Sequence, residues 1–131
     1  MKDLAMYILV NSDIEISAGK LGGQVGHVVQ SYMDTIIEAK DDYDCHHGFY
    51  ATEEAEKLID LYNEYKETNR KKIILKCKQS KLETLLEKYP FVRDCGLTEL
   101  EPNTLTCVCL GIIDRNNIPE DLKFIKRLRL Y

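Results

Sequence analysis

The chain has 131 residues, of which 44% are hydrophobic and 31% charged, with a formal net charge of −4. That length suits one domain over residues 1–131 with a single core, and it calls for no second domain. No apolar run is long enough to cross a bilayer, and Met1-Lys2-Asp3-Leu4 lacks the apolar region of a signal peptide, so a cytoplasmic chain with no membrane partner is expected.

The five cysteines, 45, 77, 95, 107 and 109, are an odd number in a chain able to hold its core without staples. They read as reduced thiols without disulfides. The charge is segregated along the chain. Residues 34–67 hold eleven acidic and three basic residues, which leaves 15 basic against 11 acidic residues elsewhere. This layout is compatible with phosphate binding on one surface and an acidic helix on another. Basic residues among Lys71, Lys72, Lys76, Lys78, Lys81, Lys126, Arg127 and Arg129 are expected to form a patch beside the ligand-binding cleft, away from that acidic helix.

In chain order, Leu4 to Val10 is apolar and β-prone and reads as a buried strand. A helix is expected from Ser17 or Ala18 to about Ala39. Gly22, Gly23 and Gly26 each cost it up to about 1 kcal/mol relative to alanine. Close packing against the sheet or another helix is the leading explanation, with close approach of a substrate backbone as the alternative. Asp41 to Tyr50, polar and containing Gly48, reads as a loop. Thr52-Glu53-Glu54-Ala55-Glu56 then looks like a capped start of a second helix ending near Thr68. Lys72 to Cys77 reads as a strand, Ser80 to Tyr89 as a helix stopped by Pro90, and Phe91 to Arg93 as a strand. Thr104 to Ile112 supplies a fourth strand and Pro119 to Lys126 a last helix, with Pro119 suited to a first helical turn. The pattern predicts an α/β single-domain layered sandwich, a four-stranded mixed sheet with helices on both faces. It leaves the strand order open.

Two blocks carry the chemistry. In Ser17-Ala18-Gly19-Lys20-Leu21-Gly22-Gly23-Gln24-Val25-Gly26-His27, helical spacing brings Lys20, Gln24 and His27 within about 60° of one another around the axis. A strand feeding that helix places this face at the carboxyl edge of a sheet, where open α/β folds bind ligands. Lys20 opposes the helix macrodipole, so helix stability does not explain it. It suits an ammonium aimed at a phosphate or a developing oxyanion. Gln24 suits an orienting role. His27 reads either as a general base or, preferably, as a buried hydrogen-bonding imidazole that shapes the site.

In the second block, Asp94 lies at a strand end before Gly96, a common place for a turn aspartate. Converging strand ends would let its carboxylate pair with Lys20. Thr98, Thr104 and Thr106 offer hydroxyls from the same loop and the next strand, against a background of β-propensity and capping. Cys107 and Cys109 point to one strand face as core residues. Cys95 beside Asp94 suggests a thiol nucleophile, the least favoured of the chemical readings. Cys45-His46-His47 is too tightly spaced to enclose one ion and has no second pair to complete a tetrahedral set, so no metal site is expected.

The helix pattern G-K-x-x-x-Q-x-x-H, followed late in the chain by R-D-x-G-x-T-x-x-x-P-x-T-x-T before a strand, resembles the type 2 peptidyl-tRNA hydrolases of archaea and eukaryotes. The likeness runs from Met6 to Tyr131 and spares only the acidic middle, roughly 40–70. It implies the same architecture and hydrolysis of the ester joining a peptide to tRNA. It also implies catalytic roles for Lys20, Asp94 and Thr98, with Gln24, His27, Thr104 and Thr106 as support. No cofactor is implied.

Five positions depart from the family pattern. Gly22-Gly23 stand where small alanines are common, Leu97 where an arginine is usual, Glu99 in place of a glutamine and Asn103 in place of a glycine. Losing the arginine and gaining an acid weaken the expected hold on RNA. A non-catalytic tRNA- or protein-binding relative is the alternative. Further partners left open are a second copy of the chain, as a homodimer, and a protein on the acidic helix 52–67.

Overall fold

A computed structural model describes residues 1–45 and 53–131. Its elements are β1 (Leu4–Asn11), α1 (Ala18–Cys45), α2 (Glu53–Lys66), β2 (Lys72–Cys77), α3 (Gln79–Glu83), β3 (Phe91–Arg93), β4 (Leu105–Asp114) and a 3-10 helix (Glu120–Arg127). The four strands make one mixed sheet in the order β2-β1-β4-β3. β1 runs parallel to β2 and antiparallel to β4, which is antiparallel to β3.

β1 is buried along its whole length because it is central in the sheet and covered on both faces. Its even-numbered side chains Leu4, Met6, Ile8 and Val10 join Val28, Tyr32 and Ile36 of α1 and Tyr65 of α2. Its odd-numbered side chains Ala5, Tyr7 and Leu9 join Leu82 of α3 and Leu122 and Ile125 of the 3-10 helix. Helices therefore cover both faces, as the sequence pattern predicts. α1 is held by an apolar stripe, Leu21, Val25, Val28, Tyr32 and Ile36, at helical spacing. Each fully buried member is worth about 1.5–3 kcal/mol. That outweighs glycine costs of about 1 kcal/mol each on the outer face.

Four expectations change. α1 continues through Asp41 to Cys45, where a loop is expected; the rest of that loop, with His46, His47 and Thr52, lies outside the described residues. α3 ends at Glu83 instead of Tyr89. The Thr84 hydroxyl donates to the Lys81 carbonyl at 2.6 Å, and the chain goes on through three-residue turns such as Leu85 N to Leu82 O at 2.9 Å. A threonine that competes for a helix carbonyl favours such a break. The last helix is 3-10 because its apolar residues Leu122, Ile125 and Leu128 recur every three residues, the period of that helix. Pro119 stands at its N-cap in extended backbone, not in its first turn.

The chain end covers the β2 edge. Lys76 N donates to Arg129 O at 2.8 Å and Tyr131 N to Ile74 O at 3.0 Å, so β2 is partnered on both sides. Two of the basic residues considered for a patch lie beside the acidic helix and a third lies apart from them. Lys71 pairs with Asp3 and Lys72 lies over the Tyr65 ring of the acidic α2, whereas Lys76 lies over Tyr131 at the other end of β2.

Candidate active site

The carboxyl end of β1 is anchored by Asn11, which is fully buried. Its Nδ2 donates to Leu105 O at 2.9 Å and to Gln79 Oε1 at 3.2 Å, and its Oδ1 accepts from Asp13 N at 2.9 Å. Asp13 Oδ2 in turn accepts from Gln79 N at 2.9 Å. These bonds fix the loop that delivers α1. Neither residue stands out by catalytic type; the signal available in sequence is two turn-forming side chains, Asn11 and Asp13, just after a buried strand.

Lys20 sits in the first turn of α1, and its Nζ lies 2.7 Å from Asp94 Oδ1. The Lys20 side chain is 17% exposed and that of Asp94 2%, so the pair is recessed with its cation toward solvent. Asp94 Oδ2 accepts from Gly96 N at 2.9 Å. The Asp94 backbone is also tied at both ends, its N to Thr104 O at 2.8 Å and its O to Asn103 N at 2.7 Å. The hydrogen bond from Lys20 holds the Asp94 carboxyl below its ordinary value, with help from the Gly96 amide and against the effect of burial. Asp94 is a fixed anion and a weak base.

Two residues give this loop its shape. Gly96 has φ +79°, and a Cβ there would lie 2.6 Å from the Pro102 ring, so both backbone and space require glycine. Asn103 has φ 66°, a left-handed conformation that asparagine tolerates better than most residues. The family's glycine is thus replaced here without loss of the turn.

A β-bulge completes the arrangement. Val92 pairs with Cys107 and Arg93 with Leu105, which leaves Thr106 as the extra residue. Its hydroxyl lies 2.8 Å from Gln24 Oε1 and 3.1 Å from Val92 O, and Cys107 Sγ donates to Gln24 O at 3.4 Å. One hydroxyl proton cannot serve both acceptors. Turning the Gln24 amide so that its NH2 faces Thr106 satisfies every group. Two successive residues of β4 therefore grip α1 one turn beyond Lys20. Farther along β4, Gly111, with φ +85°, leaves room for the Tyr32 ring of α1, which a Cβ would approach to 2.5 Å.

The remaining candidates are placed differently. Thr98 is exposed on the Asp94 loop, and its side chain makes no hydrogen bond among the described residues. The Thr104 hydroxyl turns back to Glu101 O at 2.6 Å, so it serves its own loop. His27 is exposed on α1, not buried as preferred from sequence. Gly22, Gly23 and Gly26 are exposed too, and a Cβ on any of them meets nothing within 4 Å. Close packing within the chain is therefore not their explanation.

Glu99, which in sequence reads only as a weaker hold on RNA, links the two halves of the site. Its Oε2 accepts from Ser17 N at 2.9 Å and its Oε1 from Ser17 Oγ at 2.5 Å. These bonds set a carboxylate at the start of α1, where the macrodipole favours an anion, and hold its carboxyl below the ordinary value. The thiols are less engaged. Cys107 and Cys109 are buried, which pushes them up to about 11 and about 12, and exposed Cys95 makes no hydrogen bond to His27. The possible metal triplet at 45–47 falls outside the described side chains.

The family model described as "Peptidyl-tRNA hydrolase PTH2" matches residues 4–131. A peptidyl-tRNA hydrolase of Saccharolobus islandicus is 28% identical over 131 residues, covering 92% of this chain and 98% of that protein. One from Saccharolobus solfataricus is 28% identical over 133 residues, covering 93% and 99%. One from Methanopyrus kandleri is 33% identical over 114 residues, covering 79% and 80%. A match spanning both site blocks and the sheet between them means that this chain belongs to the peptidyl-tRNA hydrolase PTH2 family.

Proposed function

We propose that this chain hydrolyses the ester of peptidyl-tRNA, releasing the peptide acid and free tRNA, with Lys20, Asp94 and Thr98 as the catalytic residues. The observation that carries the reading is the recessed 2.7 Å contact of Lys20 with Asp94, beside a loop that keeps Thr98 open to solvent. Water adds through oxygen to the ester carbonyl carbon, and the carbonyl oxygen gains negative charge. The Lys20 ammonium stabilises that charge. The bond from carbon to the ribose oxygen then breaks, and the ribose oxygen leaves with a proton as a hydroxyl.

Asp94 orients the ammonium and does not remove the proton from water, because its carboxylate is held in its anionic form by two donors. Thr98 orients the attacking water. Gln24 and Thr106 hold the first turns of α1 to the sheet, and His27 on the same helix face contacts the substrate. No cofactor takes part in this scheme. The test is release of peptide from an N-blocked aminoacyl-tRNA by the purified chain, compared with spontaneous ester cleavage. Release above background supports the hydrolase; tight tRNA binding without release supports the binding-module alternative.

A further inference from the structure

The sheet face opposite α1 carries a groove of about 630 Å³ that the proposed reaction leaves unused. It opens between β1, β2 and the 3-10 helix, and its walls include Ile73, Leu75, Ile125 and Leu128. A volume of this size is typical of small-molecule sites. Its lining is aliphatic apart from Tyr7 and a polar rim.

Tyr7 is the informative residue. It is only 6% exposed, yet its hydroxyl has no hydrogen-bond partner among the described residues. The other two buried tyrosines both use theirs: Tyr32 accepts from Ile112 N at 3.2 Å and Tyr65 donates to Lys71 O at 3.2 Å. No fully buried side-chain polar atom is left unpaired among the described residues, so the Tyr7 hydroxyl is the part of that side chain that reaches the groove. The hydroxyl opens into the groove with no partner among the described residues, so an occupant can pair with it.

The rim sets the sign of that occupant. Asp3 lies between two cations, 3.2 Å from Lys71 Nζ and 3.3 Å from Arg115 Nη1. Lys126 is exposed on the groove and makes no ion pair among the described residues. Two cations, Arg115 and Lys126, line the groove against the one carboxylate of Asp3, which leaves the rim positive and complements an anion.

We propose that this groove binds a medium-chain aliphatic carboxylate. The chain lies along the isoleucine and leucine walls, the carboxylate pairs with Arg115 and Lys126, and the Tyr7 hydroxyl donates one hydrogen bond to the head group. The site is on the other sheet face from Lys20 and Asp94, so it stands or falls apart from the hydrolase reading.

The experiment is a titration of the full chain with sodium octanoate, followed by methyl NMR of isoleucine and leucine. Ile73, Leu75 and Ile125 are expected to shift together and saturate as one site, while residues of α1 stay unmoved. Tyr7→Phe removes a hydroxyl that no protein group uses, so the fold is retained and affinity drops about twofold to tenfold, the worth of one hydrogen bond. Lys126→Glu, on the surface, weakens binding about threefold or more. Absence of saturable shifts, octanol binding as tightly as octanoate, or unchanged affinity in Tyr7→Phe would each overturn the proposal.

Discussion

Lys20 Nζ and Asp94 Oδ1 meet at 2.7 Å although one comes from the first turn of α1 and the other from the end of β3. Neither strand nor helix alone creates this pair; the antiparallel run of β4 from the Asp94 loop past β1 does. Lys20→Met is expected to lower ester hydrolysis by about 10²-fold or more while changing tRNA affinity little, since loss of an oxyanion donor acts on the transition state. Asp94→Asn should follow in the same direction by freeing the ammonium, and Cys95→Ala should be neutral. Peptide release and tRNA binding measured on the three variants decide it: full activity in Lys20→Met with loss in Cys95→Ala points to a thiol nucleophile instead.

The Asp94 carboxyl is depressed in the folded chain by Lys20 and the Gly96 amide. A depressed folded-state value means that its contribution to stability is complete above the unfolded value, about 3.9, and is lost as pH falls through the lower folded value. Glu99 is shifted in the same direction by Ser17. The stability gap between wild type and Asp94→Asn is therefore expected to be constant from neutral pH to about pH 5 and to narrow below about pH 4. Urea midpoints across that range check it, and a gap that grows on acidification would contradict the assignment.

Leu97 is 83% exposed on the Asp94 loop, at the position where the sequence resemblance leads one to expect an arginine. Leu97→Arg should tighten tRNA binding at low salt and steepen its salt dependence by roughly 0.7–0.9 in log–log slope, one phosphate contact's worth. Binding isotherms at several salt concentrations measure this. An unchanged slope would place Leu97 away from the RNA backbone.

The glycines divide by what surrounds them. At Gly22 and Gly26 a Cβ meets nothing within 4 Å, so Gly22→Ala and Gly26→Ala should each raise stability by about 0.5–1 kcal/mol through the better helix propensity of alanine. Gly111→Ala should cost about 2–3 kcal/mol, because its φ is +85° and the Tyr32 ring occupies the space. Thermal unfolding separates the two classes. If stabilised Gly22→Ala or Gly26→Ala loses peptide release, substrate backbone approaches that outer helix face.

Sequence by itself determined the four strands, the two long helices, the fold class and the membership of Lys20 and Asp94 in two separated blocks. Those features rest on local patterns: β1 is a continuous apolar run, and α1 repeats apolar residues at helical spacing. Pairing is not local, and only tertiary structure decided the strand order β2-β1-β4-β3 and the contact that follows from it. The same holds for exposure. His27 and the α1 glycines face solvent because the apolar stripe through Val28 and Tyr32 turns the opposite side of the helix to the sheet. Glu99 looked like a loss of affinity for RNA when read by charge alone, but in the fold its carboxylate caps α1 through Ser17. A side chain's type sets what it can bond to, and only the approach of distant segments sets which of those bonds it makes.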